Sequence, residues 1–230
     1  MAAEQEVAGR IVMLLASKSV QRIDFQLELV HVTGSSLSSV IGALITRAVG
    51  VTDMDSQFRR LGSPPSGINV EIGKVKKGAE AQYDPKNNTF GFPNATFGQT
   101  DPREQATIVH ESVHAWLDLR MPKVRTTGDW LKKVVLSTTS ATNEATAYIA
   151  GALYFIYKTT PEGSNPTPSD RWRDHPLFSE AYRIAVGIMN NPGAAVSAAD
   201  VTALKQKIMD RPIYKKIKDD PTRIFNHDGV

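Results

Sequence analysis

The residues best suited to chemistry in this chain lie in the stretch TIVHESVHAW, residues 107–116. His110 and His114 are four residues apart, so on a helix both imidazoles project from one face and can reach a single metal ion. Glu111 projects to the side of that face, where its carboxylate can take a proton from a water on the metal. The spacing predicts a His-Glu-x-x-His metal site. Two histidines in an ordinary helical core are the alternative interpretation.

The residues around the motif help to decide between these interpretations. A helix is predicted from Pro102 to Arg120, with Asp101 as its cap, proline in its first turn and Glu104 completing a capping box. Beyond the first turn, its polar face holds His, Glu, His and Asp, and the rest of its circumference is apolar. A carboxylate on a largely buried helix is costly unless a cation compensates its charge. The flanking residues therefore favour the metal.

Two histidines leave a catalytic zinc site incomplete, because such sites usually have three protein ligands and a water. The candidates for the third ligand are Asp118, Asp129, Glu144, His175 and Glu180. Glu144 is favoured because it lies in line with an apolar stripe of a second predicted helix, Ala141 to Lys158, and so points into the core. Asp118 is one turn beyond His114, where it is better placed to accept a hydrogen bond from an imidazole.

Two roles near this centre stay open at the level of sequence. Glu144 can also be read as a first-turn glutamate that is favoured by the helix dipole. A donor to a transition-state oxyanion can come from His175, in RDHPLF, or from one of three tyrosines. These tyrosines are Tyr148, Tyr154 and Tyr157. Tyr148 and His175 stand with Glu111 as the candidate catalytic residues.

The remaining elements must position this site. Helical spacing predicts helices over residues 5–17 and 36–49, and RIDFQLELVHV (22–32) alternates in the manner of one strand. Three extended stretches follow, and PKNN (85–88) between the last two predicts a hairpin, since asparagine tolerates positive φ. The extended stretches are GINVEIG (67–73), AEAQYD (79–84) and TFGFP (89–93), and further helices are predicted over 177–189 and 198–209.

The clearest break in the chain is RRLGSPPSG, residues 59–67. It separates an N-terminal segment of helix and strand, residues 1–66, from a domain that spans residues 67–230. The segment can also be part of that same domain. With 230 residues and 41% hydrophobic composition, the chain is long enough for one substantial core.

Composition excludes several classes of partner and ligand. The chain has no cysteine, so a metal must be held by His, Asp or Glu, and this favours a catalytic zinc site over a structural one. The net charge is only +3, and the densest basic run, KQKIMDRPIYKKIKDD (205–220), contains acidic residues as well. This run is interpreted as a solvated helix face, and no nucleic-acid partner is expected.

The N-terminal sequence indicates where the protein is expected to act. MAAEQEVAGRIVMLLASKS has acidic residues before its apolar stretch and lacks the basic start of a secretion signal. No run in the chain approaches the roughly 18 apolar residues of a membrane span. We therefore expect a soluble protein without a membrane partner, either cytoplasmic or exported without an ordinary N-terminal signal peptide.

The motif and the downstream glutamate together resemble the gluzincins, a group of zincin metallopeptidases. In gluzincins, HExxH on one helix is joined by a glutamate from a second helix. The matching residues are His110, Glu111 and His114 in TIVHESVHAW, and Glu144 in NEATAYIAG. The resemblance implies Zn²⁺ held by the two histidines and Glu144, with Glu111 as the general base. It also implies hydrolysis of a protein or peptide substrate that an edge strand aligns, and AQYDPKNNTFGFP (81–93) is in the right place for that sheet.

The chain departs from this family at identifiable positions. Tyr148 stands four residues after Glu144, where a familiar gluzincin pattern has an aspartate that holds the first histidine. The metzincin continuation after the second histidine is absent from HAWLDLR, and the resemblance covers residues 80–158. The fold expected from all these observations is α+β, with a small mixed or antiparallel sheet packed on the active-site helix and a mainly helical C-terminal half.

Two other functions stay open beside the metallopeptidase. One is a zincin-type hydrolase that acts on a substrate other than a peptide. The other is a binding or scaffold protein in which the HExxH helix holds a structural metal or none.

Overall fold

Helices and two small sheets make up the computed structural model, which describes residues 2–48, 67–120, 127–128 and 138–222. The helices are α1 (Ala2–Leu15), α2 (Lys18–Gln21), α3 (Gly34–Ala48), α4 (Pro102–Leu119), α5 (Ser140–Thr159), α6 (Asp170–Asp174), α7 (Pro176–Asn190), α8 (Ala198–Met209) and α9 (Lys215–Asp219). The strands are β1 (Asp24–Leu27), β2 (Val30–Thr33), β3 (Asn69–Ile72), β4 (Gln82–Asp84) and β5 (Thr89–Phe92). The predicted α+β class with a helical C-terminal half is confirmed.

A three-stranded mixed sheet lies beside α4. Its order is β3-β5-β4, with β5 parallel to β3 and antiparallel to β4. The turn predicted at PKNN joins β4 to β5, and Asn88 takes the positive φ of 48° that this turn requires. β4 packs against α4, so the sheet meets the helix that carries the histidine motif.

The stretch RIDFQLELVHV forms a hairpin, so the prediction of a single strand was wrong. β1 and β2 pair antiparallel, and the turn between them places Glu28 at a φ of 52°. Leu29, which continues the alternation in the sequence, is 87% exposed at this turn. Lys205 and Thr142 donate to the two carboxylate oxygens of Glu28, at 2.6 and 2.7 Å. Contacts distant in sequence therefore hold the turn.

The two central helices begin at well-defined caps. The Asp101 carboxylate accepts from the Arg103 N–H at 2.8 Å, and Pro102 follows in the first turn of α4. The predicted capping box is wrong in one detail, because Glu104 accepts from the Gly98 N–H at 2.7 Å and ties down the preceding loop. α5 begins at Thr139, whose hydroxyl accepts from a backbone N–H of the first turn, and α3 begins at Gly34, two residues before the predicted start.

Helix α5 is buried around its whole circumference, from Ser140 to Tyr157. It packs against α4 on one side and against α7 and α8 on others. A helix that is covered on every side is part of the core, so each polar group on it must find a partner within the protein. Glu144, which is 9% exposed, is the acidic residue that this helix carries into the core.

The sequence predicted that the basic run at residues 205–220 forms one solvated helix face, and this prediction was wrong. α8 ends at Met209, and a 3-10 turn over Pro212–Tyr214 separates it from α9. Proline cannot continue the hydrogen bonding of a helix, so the chain changes direction at Pro212. As a result Tyr214 is half-buried and Ile217 is buried, although their neighbours are charged.

The N-terminal elements share the core of the other described residues. α1 packs against β3, and α3 packs against α4. The predicted boundary at RRLGSPPSG lies outside the described residues except for Gly67. Val49, the last residue of the helix predicted over 36–49, also lies outside them. Among the described helices, none combines the length and apolar character that crossing a bilayer requires.

Gly151 brings α5 close to α4 and provides a test of this packing. A Cβ at Gly151 would lie 2.9 Å from the carbonyl oxygen of Ala106 and 3.7 Å from the Cβ of His110. We expect Gly151→Ala to lower the free energy of unfolding by about 1–2 kcal/mol, because the clash outweighs the roughly 1 kcal/mol gained in helix propensity.

Gly187→Ala is the matched control, since Gly187 is an exposed helical glycine whose Cβ would meet nothing within 4 Å. It should raise the free energy of unfolding by up to about 1 kcal/mol. Urea denaturation of both variants checks the pair. Equal stabilisation by the two substitutions would contradict the close approach of α4 and α5.

Candidate metal centre

The two histidines of the motif face each other from consecutive turns of α4. Their Nε2 atoms are 3.2 Å apart, and their ring centroids are separated by 4.9 Å. Glu111 completes a group of three residues whose nearest ligand atoms all lie within 4.8 Å of one another, an arrangement that could hold a metal ion. The i, i+4 spacing read from the sequence thus brings both imidazoles to one point.

Glu144 reaches the same point from α5. Its Oε2 lies 3.5 Å from the Nε2 of His110, and its Oε1 lies 3.8 Å from the Nε2 of His114. Each carboxylate oxygen therefore faces a different imidazole. Of the predicted third ligands that the structure describes, Glu144 is the one that lies close to both histidines.

The separations between these atoms suit a tetrahedral ion. Zinc bonds of about 2.0–2.2 Å place neighbouring ligand atoms about 3.3–3.6 Å apart at the corners of a tetrahedron. The separations here are 3.2 Å between the imidazole nitrogens, and 3.5 and 3.8 Å from them to the Glu144 oxygens. Two neutral imidazoles and one carboxylate also form a donor set that divalent transition metals accept. The residues present therefore fit the metal that the motif implies.

Asn143 sets the protonation of His114. Its amide oxygen makes a short contact with the Nδ1 of His114. An amide oxygen only accepts, so Nδ1 carries the hydrogen and the lone pair is on Nε2, facing His110 and Glu144. The sequence assigned an imidazole contact to Asp118, but the Asp118 carboxylate accepts from the Tyr83 hydroxyl at 2.8 Å. The one sequence signal for Asn143 was its place beside Glu144 on an apolar helix.

Glu111 is held against the edge strand of the sheet. Its Oε2 accepts from the Tyr83 N–H of β4 at 2.7 Å, and its Oε1 is 3.9 Å from the Nε2 of His110. Burial raises the pKa of Glu111 to about 7, and the nearby charge of Glu144 adds to this, against the opposing effects of His110 and the Tyr83 N–H. A carboxylate with such a pKa can accept and release a proton near neutral pH.

A chain of two tyrosine hydroxyls ends on Glu144. Tyr214 donates its hydroxyl hydrogen to Glu144 Oε2 at 2.9 Å. Its oxygen therefore accepts from the Tyr148 hydroxyl, at 2.8 Å. The Tyr148 ring packs edge-on against His110. Burial raises the pKa of both tyrosines, which keeps them neutral donors. Burial also opposes ionisation of Glu144, but the two imidazoles and the Tyr214 hydroxyl together lower its pKa. Sequence reasoning missed Tyr214 because it lies within a charged run.

The other candidates lie elsewhere. His175 caps α7, where its Nδ1 accepts from the Leu177 N–H at 3.3 Å, and its ring contacts Phe178. Glu180 pairs with Arg183 at 2.7 Å. Asp129 lies outside the described residues. Tyr154 donates to the Gln105 side chain, and Tyr157 packs under Arg22.

An open cleft leads to the centre. It encloses about 690 Å³, counting its opening to solvent, and both His110 and Glu111 line it. Its lining includes the loop before β4, residues 78–81, and a group of residues from the C-terminal half, namely Arg171, Trp172, Phe178, Arg211, Ile213 and Tyr214. The cleft gives a small molecule or an extended chain access to the metal-binding residues.

Comparison of the chain with protein-family models, with curated proteins and with solved structures finds no match. The resemblance to the gluzincins therefore rests on four residues and their arrangement. These are His110, Glu111 and His114 on α4, and Glu144 on α5.

The hydrogen bond from Asn143 predicts a measurable effect on metal affinity. We expect Asn143→Ala to weaken metal binding about 10- to 100-fold, because His114 loses the group that orients its ring and tautomer. Asp118→Asn is the control, since Asp118 bonds the Tyr83 hydroxyl, and its effect should be smaller than about tenfold. Competition with a chromophoric chelator measures both. A larger loss in Asp118→Asn than in Asn143→Ala would contradict this assignment.

Proposed function

We propose that this protein is a zinc-dependent metallopeptidase, with His110, His114 and Glu144 as the zinc ligands and Glu111 as the general base. The observation that carries the proposal is the meeting of a buried carboxylate from one helix with two imidazoles from another. Glu144 lies 3.5 and 3.8 Å from the two Nε2 atoms, and Glu111 lines the open cleft beside them.

Several features support zinc in a catalytic role rather than a structural one. The chain has no cysteine, which structural zinc sites commonly use. Three protein ligands leave a fourth position for a small molecule, and the centre opens onto a cleft. When bound, zinc polarises a substrate carbonyl and lowers the pKa of a water ligand to about 7.

Glu111 would carry the proton in this reaction. It takes a proton from the attacking water and delivers it to the nitrogen of the leaving group. The Tyr83 N–H holds Oε2 at 2.7 Å and leaves Oε1 on the side of His110. This hydrogen bond fixes the orientation of the carboxylate, so proton transfer needs no large rearrangement.

Tyr148 is better placed than His175 to act as the predicted oxyanion donor. It lines the cleft next to His110, whereas His175 is engaged as the cap of α7 and is not one of the cleft-lining residues. The Tyr148 hydroxyl donates to Tyr214 in this structure. Its use as an oxyanion donor therefore requires that hydrogen bond to be exchanged for one to the substrate.

A peptide substrate is supported by the position of the sheet. β4 is one of the two edge strands of the three-stranded sheet, and Ala79 to Ala81, directly before it, line the cleft. An extended chain in the cleft would lie along this edge, where backbone groups can align it. A zincin-type hydrolase of another substrate is the second possibility, and digestion of a mixed peptide pool separates the two.

The first test is metal content. We expect about one zinc per chain in protein that has never met a chelator, because three protein ligands suffice for a catalytic site. Glu144→Ala should lose most of this zinc, whereas Glu180→Ala, which removes a carboxylate paired with Arg183, should keep it. Well under half an equivalent of any transition metal in the wild type would contradict the proposal.

The second test separates metal binding from catalysis. Glu111→Gln should retain zinc but lose at least about 10²-fold in peptide hydrolysis, because the general base is gone while the ligands remain. Glu162→Gln, which changes an exposed glutamate in the loop after α5, is the control and should match the wild type. A Glu111→Gln protein that cleaves peptides near the wild-type rate would remove Glu111 from the mechanism.

A further inference from the structure

One end of the cleft carries two arginines against a single aromatic ring. The Cζ of Arg171 lies 4.3 Å from the ring centroid of Phe178, and that of Arg211 lies 5.9 Å from it. Phe178 packs on Tyr148 with ring centroids 5.5 Å apart, and Tyr148 packs on His110 at 4.5 Å. Both arginines therefore line the cleft beside Phe178, and Tyr148 connects Phe178 to His110 of the proposed zinc centre.

The positive charge at this end is only half compensated. Arg171 pairs with the exposed Glu80 at 2.7 Å. Among the residues that the structure describes, no carboxylate lies within 4.0 Å of the Arg211 guanidinium, although Arg211 also lines the cleft. Glu111, the other acidic residue of the lining, is bonded to the Tyr83 N–H. One arginine is thus available for a negatively charged ligand.

Two further donors at this end have no acceptor. The Nε of Arg171 and the Nε1 of Trp172 are buried, and within the described part of the chain neither has a hydrogen-bond partner. Both residues line the cleft. A buried donor without an acceptor is unfavourable, more so when it is charged. These two donor atoms are closed to solvent, so the charge that this end of the cleft presents to a ligand comes from the guanidinium groups.

We infer that this end of the cleft binds a carboxylate of the substrate and that Arg211 is the residue that selects it. The inference rests on the proposed peptidase function. A guanidinium presents a planar fork that matches a carboxylate, and the Phe178 ring restricts its orientation. The carboxylate can belong to an acidic side chain near the scissile bond or to the C-terminus of the peptide.

The neighbouring residue indicates what accompanies the carboxylate. Ile213 lines the cleft and is 48% exposed, one of the few large apolar side chains that the described residues leave open to solvent. Arg211, Ile213 and Tyr214 all come from the turn between α8 and α9. This turn therefore offers a cation and an apolar surface side by side, and we expect a substrate with an apolar group next to its carboxylate.

Digestion of matched peptide pools tests the inference. One pair of pools differs by Glu against Gln at a single position, and a second pair differs by a free against an amidated C-terminus. The wild type should cleave the carboxylate member of one pair preferentially, by about 10- to 100-fold, the range expected for a hydrogen bond to a charged group. Arg211→Gln should abolish this selectivity, and Arg211→Glu should favour peptides with Lys at that position.

Lys207→Gln is the matched control, because it removes one positive charge from an exposed position on α8. It should keep the wild-type selectivity, which excludes an effect of net charge. Selectivity for Glu over Gln assigns the carboxylate to a side chain, and selectivity for the free C-terminus assigns it to the end of the peptide.

Two outcomes would overturn the inference, and they are distinct from failure of the peptidase proposal. Cleavage of all pools at equal rates by the wild type leaves the peptidase intact and removes the role of Arg211. If the wild type cleaves no pool, the proposed function fails. Retention of the same pools on immobilised protein then tests whether Arg211 selects a carboxylate. Preferential retention of the carboxylate pool by the wild type but not by Arg211→Gln supports the inference, whereas equal retention overturns it.

Discussion

The approach of Glu144 to two imidazoles is the interaction on which the rest of this site depends. It places a carboxylate in a helix that is buried on all sides, where an uncompensated charge would be strongly unfavourable. The approach requires α4 and α5 to lie close together, and Gly151 permits this because a Cβ there would meet the Ala106 carbonyl oxygen at 2.9 Å. Around this contact, Asn143 fixes one imidazole and Tyr214 donates to the carboxylate.

The parts of this arrangement that depend on local periodicity could be predicted from the sequence. His110 and His114 share a helix face because they are four residues apart, and Glu144 points inward because it continues an apolar stripe. The turn between β4 and β5 was also readable, since Asn88 suits a left-handed conformation. Each of these inferences uses residues within about three helical turns of one another, a range over which backbone geometry fixes side-chain direction.

The parts that depend on distant contacts could not be predicted. Tyr214 reaches Glu144 from the 3-10 turn that follows the end of α8, and the surrounding lysines made its segment resemble a solvated face. In the β1–β2 turn, Thr142 and Lys205 hold Glu28, and no pattern in residues 22–32 contains that information. An orienting hydrogen bond for His114 could come from any polar residue of a neighbouring helix, so its assignment to Asn143 needed the tertiary structure.

One zinc ion is proposed to bind where α4 and α5 meet, and diffraction can locate that ion directly. Crystals of the wild type grown with zinc, with data collected on both sides of the zinc absorption edge, would show its position as an anomalous peak. We predict one strong peak about 2.0–2.2 Å from the Nε2 atoms of His110 and His114 and from a Glu144 oxygen. The absence of a peak there would contradict the proposed zinc site. So would an ion that Glu111 coordinates while Glu144 stays remote.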